Sequence, residues 1–198
     1  MNITATYDLL DGKALGFIEY EAMPNGVVHV KIVFEPKADE LPNLPRFGTI
    51  LTIPSDYNNI DYYGKGPHES YLDRNLGNKI GRYAQKIEDW HTPYIRPQEN
   101  GNRSEVRWAQ FTNEAGNGLR IEAATTLNIT AHNYTPTQLE AAKHTIDLPA
   151  DTSITIQIDD QQMGVGGDDT WTIRARAHTE HLIPALEYQY RFTIKPIF

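Results

Sequence analysis

The chain has 198 residues, no cysteine, and 26 acidic against 18 basic side chains, for a net charge of −8. That length suits one large all-β domain or two small ones, and burial of roughly 70% of the unfolded surface gives it a sizeable core. The acidic balance and the lack of a basic run argue against nucleic acid and anionic membrane as partners, and the missing thiols remove disulfide scaffolds, thiolate metal sites and cysteine nucleophiles.

No apolar run approaches the ~18 residues of a membrane span, and residues 1–12 lack the layout of a signal peptide. A strand pattern starts almost at Met1, as in an excised fragment, so missing targeting signals carry little weight. The absence of cysteine fits a reducing, cytoplasmic compartment without excluding a periplasmic or secreted one. Sequons at Asn2, Asn102, Asn128 and Asn133 are short patterns expected by chance.

In chain order, strands are expected over 3–9, 15–21 and 27–35, joined by hairpins at Asp11-Gly12 and Asn25-Gly26, where type I′ turns need positive φ at both central residues. Residues 27–35 alternate Val28, Val30, Ile32 and Phe34 against His29, Lys31, Val33 and Glu35, a half-buried strand. Residues 36–45, with three prolines, read as an exposed connection or a domain boundary. Strand patterns follow at 47–53, 60–64, 104–112, 118–124, 126–131, 153–159, 172–178 and 187–194. One short helix is credible: Thr135 as N-cap, Pro136 at the first helical position and Gln138 closing a capping box, with good helix formers to Lys143. Residues 62–103 are long, weakly periodic and rich in Gly, Pro, Asn and aromatics. A compact domain keeps such a stretch when packing holds it and a site uses it.

The chemistry-bearing residues lie in three segments. One runs Tyr63-Gly64-Lys65-Gly66-Pro67-His68-Glu69-Ser70-Tyr71-Leu72-Asp73-Arg74; a second runs Thr92-Pro93-Tyr94-Ile95-Arg96-Pro97-Gln98-Glu99-Asn100-Gly101. The third, Met163-Gly164-Val165-Gly166-Gly167-Asp168-Asp169-Thr170-Trp171, combines pliable backbone, two acids and an indole. That combination suits a polyol ring, which lays its CH face on an aromatic plane and offers hydroxyls to acceptors. The plainer reading is a turn beside a core tryptophan.

A glycosidase needs two acids facing each other across the bond, about 5 Å apart for retention or about 6.5–9.5 Å for inversion. Glu69, Glu99, Asp168 and Asp169 sit in loop segments, but such carboxylates more often cap turns or pair with arginine, as Asp73-Arg74 and Glu105-x-Arg107 offer to do. Asp159, Asp160, Asp168 and Asp169 could surround a hard cation, yet their spacing suits a solvated acidic rim better, and His178-x-x-His181 lacks a third ligand nearby. Neither a nucleophile elbow nor Walker spacing is present, and His29, His91, His132 and His144 share no pattern, as surface or structural histidines would.

The three segments together resemble signature blocks of the C-terminal domain, or small chain, of family-two β-galactosidases. The first block is matched by Gly64, Gly66, Pro67, Glu69, Tyr71, Asp73 and Arg74. The second is matched by Thr92, Pro93, Tyr94, Pro97, Glu99, Asn100 and Gly101, with His91 in place of a leading tyrosine. Met163, Gly164, Gly166, Gly167, Asp168, Asp169 and Trp171 match the third, with Thr170 in place of serine.

The resemblance implies an all-β, large antiparallel β-supersandwich of the galactose-mutarotase-like type that closes over a separate TIM barrel. The barrel holds the acid/base and nucleophile glutamates, and Mg and Na ions sit on other domains, with no cofactor or metal in this chain. Trp171 would line the aglycone side, stacking on glucose or an acceptor sugar. Asp168, Asp169, Glu99 and Asn100 would fix the loops by hydrogen bonds, or touch hydroxyls directly. The family domain is longer at its N-terminus, so the fold is expected in truncated form across 1–198, with open sheet edges that a homo-oligomer would cover. Without the barrel the isolated chain is expected to be inactive. The rival readings are a stand-alone carbohydrate-binding module using Trp171 and Tyr94, and a purely structural domain with Trp171 buried.

Overall fold

The computed structural model describes residues 1–149, 152–169 and 171–198. The strands are β1 (Asn2–Leu9), β2 (Ala14–Ala22), β3 (Val28–Pro36), β4 (Arg46–Pro54), β5 (Asn59–Gly66), β6 (Lys79–Lys86), β7 (Arg103–Thr112), β8 (Gly118–His132), β9 (Ser153–Gln162) and β10 (Tyr188–Ile197). All pair antiparallel, in the order β1-β2-β3-β10-β8-β7-β5-β6, with β9 joined to β8 and β4 to β9. The single α-helix among the described residues, α1 (Pro136–Ala141), starts as its sequence requires: Thr135 Oγ1 accepts the Gln138 N–H at 3.2 Å and Gln138 Oε1 accepts the Thr135 N–H at 2.6 Å.

The long strand β8 makes the chain a sandwich. Its first part pairs with β10, up to Ala123 opposite Phe192; beyond the exposed Ala124 and Thr125, residues 128–132 pair with β9 instead. The β9–β4 pair therefore folds over β3 and β10. Phe47 of β4 packs 6.2, 5.6 and 5.3 Å from the rings of Phe34, Tyr188 and Tyr190, and the Tyr190 hydroxyl donates to the Ile158 carbonyl at 2.7 Å. Ile121, Ile129, Ile154, Ile156 and Ile158 are fully buried in the shared core, where each side chain contributes about 1.5–3 kcal/mol.

β9 is buried on both faces. Ile154, Ile156 and Ile158 enter the core, while the alternate Thr155, Gln157 and Asp159 lie beneath α1 and the loops at one end of the sandwich. This second face positions the polar site described below.

Several sequence expectations change. The hairpin at Asp11-Gly12 has φ of 55° and 83°, as type I′ demands. At Asn25-Gly26 only Gly26 has positive φ, 82°; Pro24, Asn25 and Gly26 form a three-residue loop closed by Met23 N–H to Val27 O at 2.8 Å. The patterns at 118–124 and 126–131 are one continuous strand, and the edge strand β6 has no counterpart among those expected because only one of its faces is even half-buried. Residues 172–178 are not a strand. Asp169 draws the Trp171 and Thr172 amides into a turn, a 3₁₀ turn follows at Ile173–Ala175, and Ile173 stays 74% exposed.

Candidate functional site

The three motif segments meet at one end of the sandwich. Glu69 accepts from the Gly101 amide at 2.8 Å and from the Tyr94 hydroxyl, and it pairs with Arg74 at 2.5 Å; Arg74 also donates to the Tyr94 hydroxyl at 3.0 Å. The first and second segments are thereby locked together. Asp73 carries the lock to the third, accepting the Gly166 N–H at 2.7 Å. The pairing expected of Asp73 with Arg74 is thus replaced, since Arg74 turns to Glu69; Glu105 and Arg107 do pair, at 3.6 Å.

None of the glycines in the third segment adopts positive φ. Gly167 is required for close approach: a Cβ there would lie 2.0 Å from the Arg174 carbonyl oxygen and 2.5 Å from that of Arg176. Asp168 donates its amide to Arg174 O at 2.7 Å, and its carboxylate pairs with His178 Nε2 at 2.8 Å. Asp169 Oδ1 accepts the Trp171 and Thr172 amides at 3.1 and 2.8 Å and Oδ2 accepts the Thr172 hydroxyl at 2.6 Å; the Thr172 bonds hold the Asp169 pKa below the usual aspartate value. Gly167→Ala should open this loop while leaving the sandwich folded, read as faster proteolysis within 163–178 at an unchanged melting temperature; resistance equal to the parent would contradict the close approach.

Trp171 stands at the end of this braced turn with 83% of its surface exposed. The reading of a structural domain with Trp171 buried is overturned on this point. The other tryptophans behave differently: Trp90 is fully buried, and Trp108 is half-buried beneath Arg120, whose guanidinium lies 4.0 Å over its ring. Tyr94 is half-buried and its hydroxyl is engaged by Glu69 and Arg74.

Glu99 and Asn100 lie deeper. Asn100 is buried, accepting the Thr92 amide at 3.0 Å through its side chain and His132 Nε2 at 3.0 Å through its carbonyl, and donating to Tyr134 Oη at 3.2 Å. Glu99 accepts from Tyr71 Oη at 3.2 Å and pairs with Arg46 at 2.9 Å; burial raises its pKa, against the pull of Arg46. Arg46 also lies 3.3 Å from Asp159, which is 1% exposed and whose pKa burial pushes up to about 7. The expected solvated rim is corrected here, because Asp159 is a buried ion-pair partner. Strand parity set its face, but nothing in the local sequence shows that loops cover that face. His132 is likewise buried, and desolvation lowers its pKa to about 3, so it is a neutral acceptor–donor under the loops.

A hollow of about 590 Å³ separates the second and third segments at their base, lined by Arg46, Glu99, Gln162, Met163, Val165 and Leu182 among others. Each acid of the three segments is tied to a partner within the chain, and the Trp171 indole is left bare.

Fold and site together define an all-β sandwich domain whose loop end is braced around an exposed tryptophan. Residues 3–194 match the family described as Beta galactosidase small chain, and the chain belongs to that family. It is similar to a β-galactosidase of Lactobacillus delbrueckii subsp. bulgaricus (40% identity, covering 91% of this chain and 18% of that protein) and to one of Priestia megaterium (36%, covering 91% and 17%). A β-galactosidase of Vibrio cholerae is 38% identical over 79% of the chain and 14% of its own length. The chain thus spans less than a fifth of the length of these relatives.

Proposed function

We propose that this chain is the C-terminal domain or small subunit of a retaining β-galactosidase acting on terminal β-D-galactosides such as lactose. Its role is to supply Trp171 as the aglycone-side wall of an active site whose catalytic glutamates lie on a separate TIM barrel. Family membership and the small share of each relative that the chain covers support the division of labour. The observation that carries the role of Trp171 is its exposure. An indole left 83% open on a turn pinned by Asp169 and Gly167 is a preformed stacking plane. The retaining mechanism, through a galactosyl-enzyme intermediate, belongs to the whole enzyme.

In an enzyme carrying this chain, Trp171→Ala should weaken glucose and acceptor binding roughly tenfold, the loss of about 1.4 kcal/mol of stacking, with a smaller effect on galactose. Unchanged acceptor kinetics would remove this role. The 198-residue chain alone should not cleave nitrophenyl galactoside. The same exposed indole also suits a carbohydrate-binding module, and that reading requires the isolated chain to bind lactose at low-millimolar strength or better in a titration.

A further inference from the structure

Asp73 is the one side chain from outside residues 162–181 that hydrogen-bonds to the backbone of the glycine turn among the described residues. It reaches across 93 positions in sequence, its Oδ2 2.7 Å from the Gly166 nitrogen. The turn is seated on this carboxylate: a Cβ on Gly164 would lie 2.8 Å from Oδ2 and one on Gly166 3.6 Å from it. The Gly164 amide meanwhile donates to the His181 carbonyl at 2.9 Å. Asp73 is itself held in place, since the adjacent Arg74 is fixed by Glu69 and Tyr94 and the Tyr71–Arg74 backbone bridge closes the turn around it.

The sequence between Gly164 and Gly167 has almost no stiffness of its own, because glycine gives up more backbone freedom on ordering than any other residue. Gly166 lies five residues before Trp171. Downstream, the braces among the described residues are internal ones, through Asp168, Asp169 and Thr172. Internal braces keep the loop's shape but do not fix it to the sandwich. The Gly166 bond does.

We infer that Asp73 is a positioning residue, the tether that fixes the Trp171 loop against the domain. Its catalytic consequence rests on the sugar-stacking role given to Trp171 above. Since the acceptor is a carboxylate oxygen and the donor a backbone amide, asparagine can still supply an oxygen, while alanine cannot.

The test has two parts. In the 198-residue chain, Asp73→Ala should speed hydrogen exchange at the Gly166 amide by roughly tenfold or more and broaden the Trp171 indole resonance, while the Ile129 and Ile156 amides keep their protection. Asp73→Asn should stay within a few-fold of the parent. Should the alanine variant lose protection in the core as well, Asp73→Ser withdraws the carboxylate with a smaller change in polarity and is read in the same way. Unchanged exchange at Gly166 in the alanine or serine variant overturns the tether. In a β-galactosidase carrying this chain, Asp73→Ala should raise the acceptor KM for glucose several-fold, with kcat for galactoside hydrolysis little changed and with rescue by Asp73→Asn. A loosened turn with an unaltered acceptor KM overturns the positioning role when Trp171→Ala itself raises that KM. If Trp171→Ala is silent too, the stacking role of Trp171 is what fails, and the exchange data still decide the tether.

Discussion

Replacing Arg46 by alanine should lower the unfolding free energy by about 3–5 kcal/mol at pH 8, the range for breaking a buried ion pair, and by clearly less at pH 5. The difference comes from Asp159. Its carboxyl is 1% exposed, burial pushes its folded pKa up to about 7 from the ordinary aspartate value of 3.8, and Arg46 is the cation that opposes the effect of burial. Because the folded pKa is the higher one, the native state binds the extra proton. Asp159 therefore costs no stability below about pH 4; its cost builds up as pH rises from about 4 to about 7 and is level above that. At pH 5 the group is protonated with or without Arg46, and the substitution mainly removes the Arg46–Glu99 pair at 2.9 Å. At pH 8 the parent holds an ionised Asp159 beside Arg46, whereas the variant must keep the carboxyl protonated or leave its charge uncompensated.

Asp159→Asn is the control. In that background the Arg46→Ala penalty should be smaller and should keep only the pH dependence that Arg46 shares with Glu99 and His132, so the coupling in the double-mutant cycle should itself rise with pH. His132, whose lowered pKa makes stability fall as pH drops below about 6.5, acts equally in both backgrounds and cancels from the cycle. Urea midpoints at pH 5 and 8 for the four proteins measure all of this. A penalty equal at both pH values would mean that Arg46 and Asp159 are not coupled.

What could be read from the sequence followed from local period and turn chemistry. Alternation in 27–35 and 187–194 located β3 and β10, and Thr135, Pro136 and Gln138 located α1, because these signals are written within a few residues. The strand pattern at 172–178 misled for an equally physical reason. The alternation of Ile173, Ala175 and Ala177 is real, but Asp169 satisfies the amides at the start of the segment and none of the described strands pairs with it. The motif segments marked where the loops cluster, yet not how they are joined. That Arg74 would choose Glu69 over Asp73, or that Arg46 would sit between Glu99 and Asp159, depends on contacts between residues tens of positions apart. The three tryptophans make the same point. Nothing local distinguishes the buried Trp90, the Arg-covered Trp108 and the open Trp171.

Trp90→Ala should destabilise the domain by about 3–5 kcal/mol, the loss that follows truncation of a fully buried aromatic. The indole packs 5.2 Å from the Tyr62 ring and lies under the Arg103 guanidinium, 4.6 Å above it, while its N–H donates to the Gly101 carbonyl. Arg103 is 2% exposed and is held by neutral groups: Gly101 O at 3.0 Å, Tyr62 Oη at 3.2 Å and Gln85 Oε1 at 3.3 Å. Burial already lowers its pKa, so removing the ring that faces its charge adds to the cavity term. Trp90→Phe separates the two contributions. It keeps an aromatic face for Arg103, and Gly101 O retains the Arg103 bond, so the loss should fall to about 1–2 kcal/mol. Because Gly101 also donates to Glu69 and adjoins Asn100, the alanine variant should loosen the second motif segment along with the core. Urea unfolding gives the energies, and exchange at the Gly101 amide reports the loop. If Trp90→Ala and Trp90→Phe were equally costly, the ring's contact with Arg103 would contribute nothing, and the indole hydrogen bond alone would have to carry the difference from the parent.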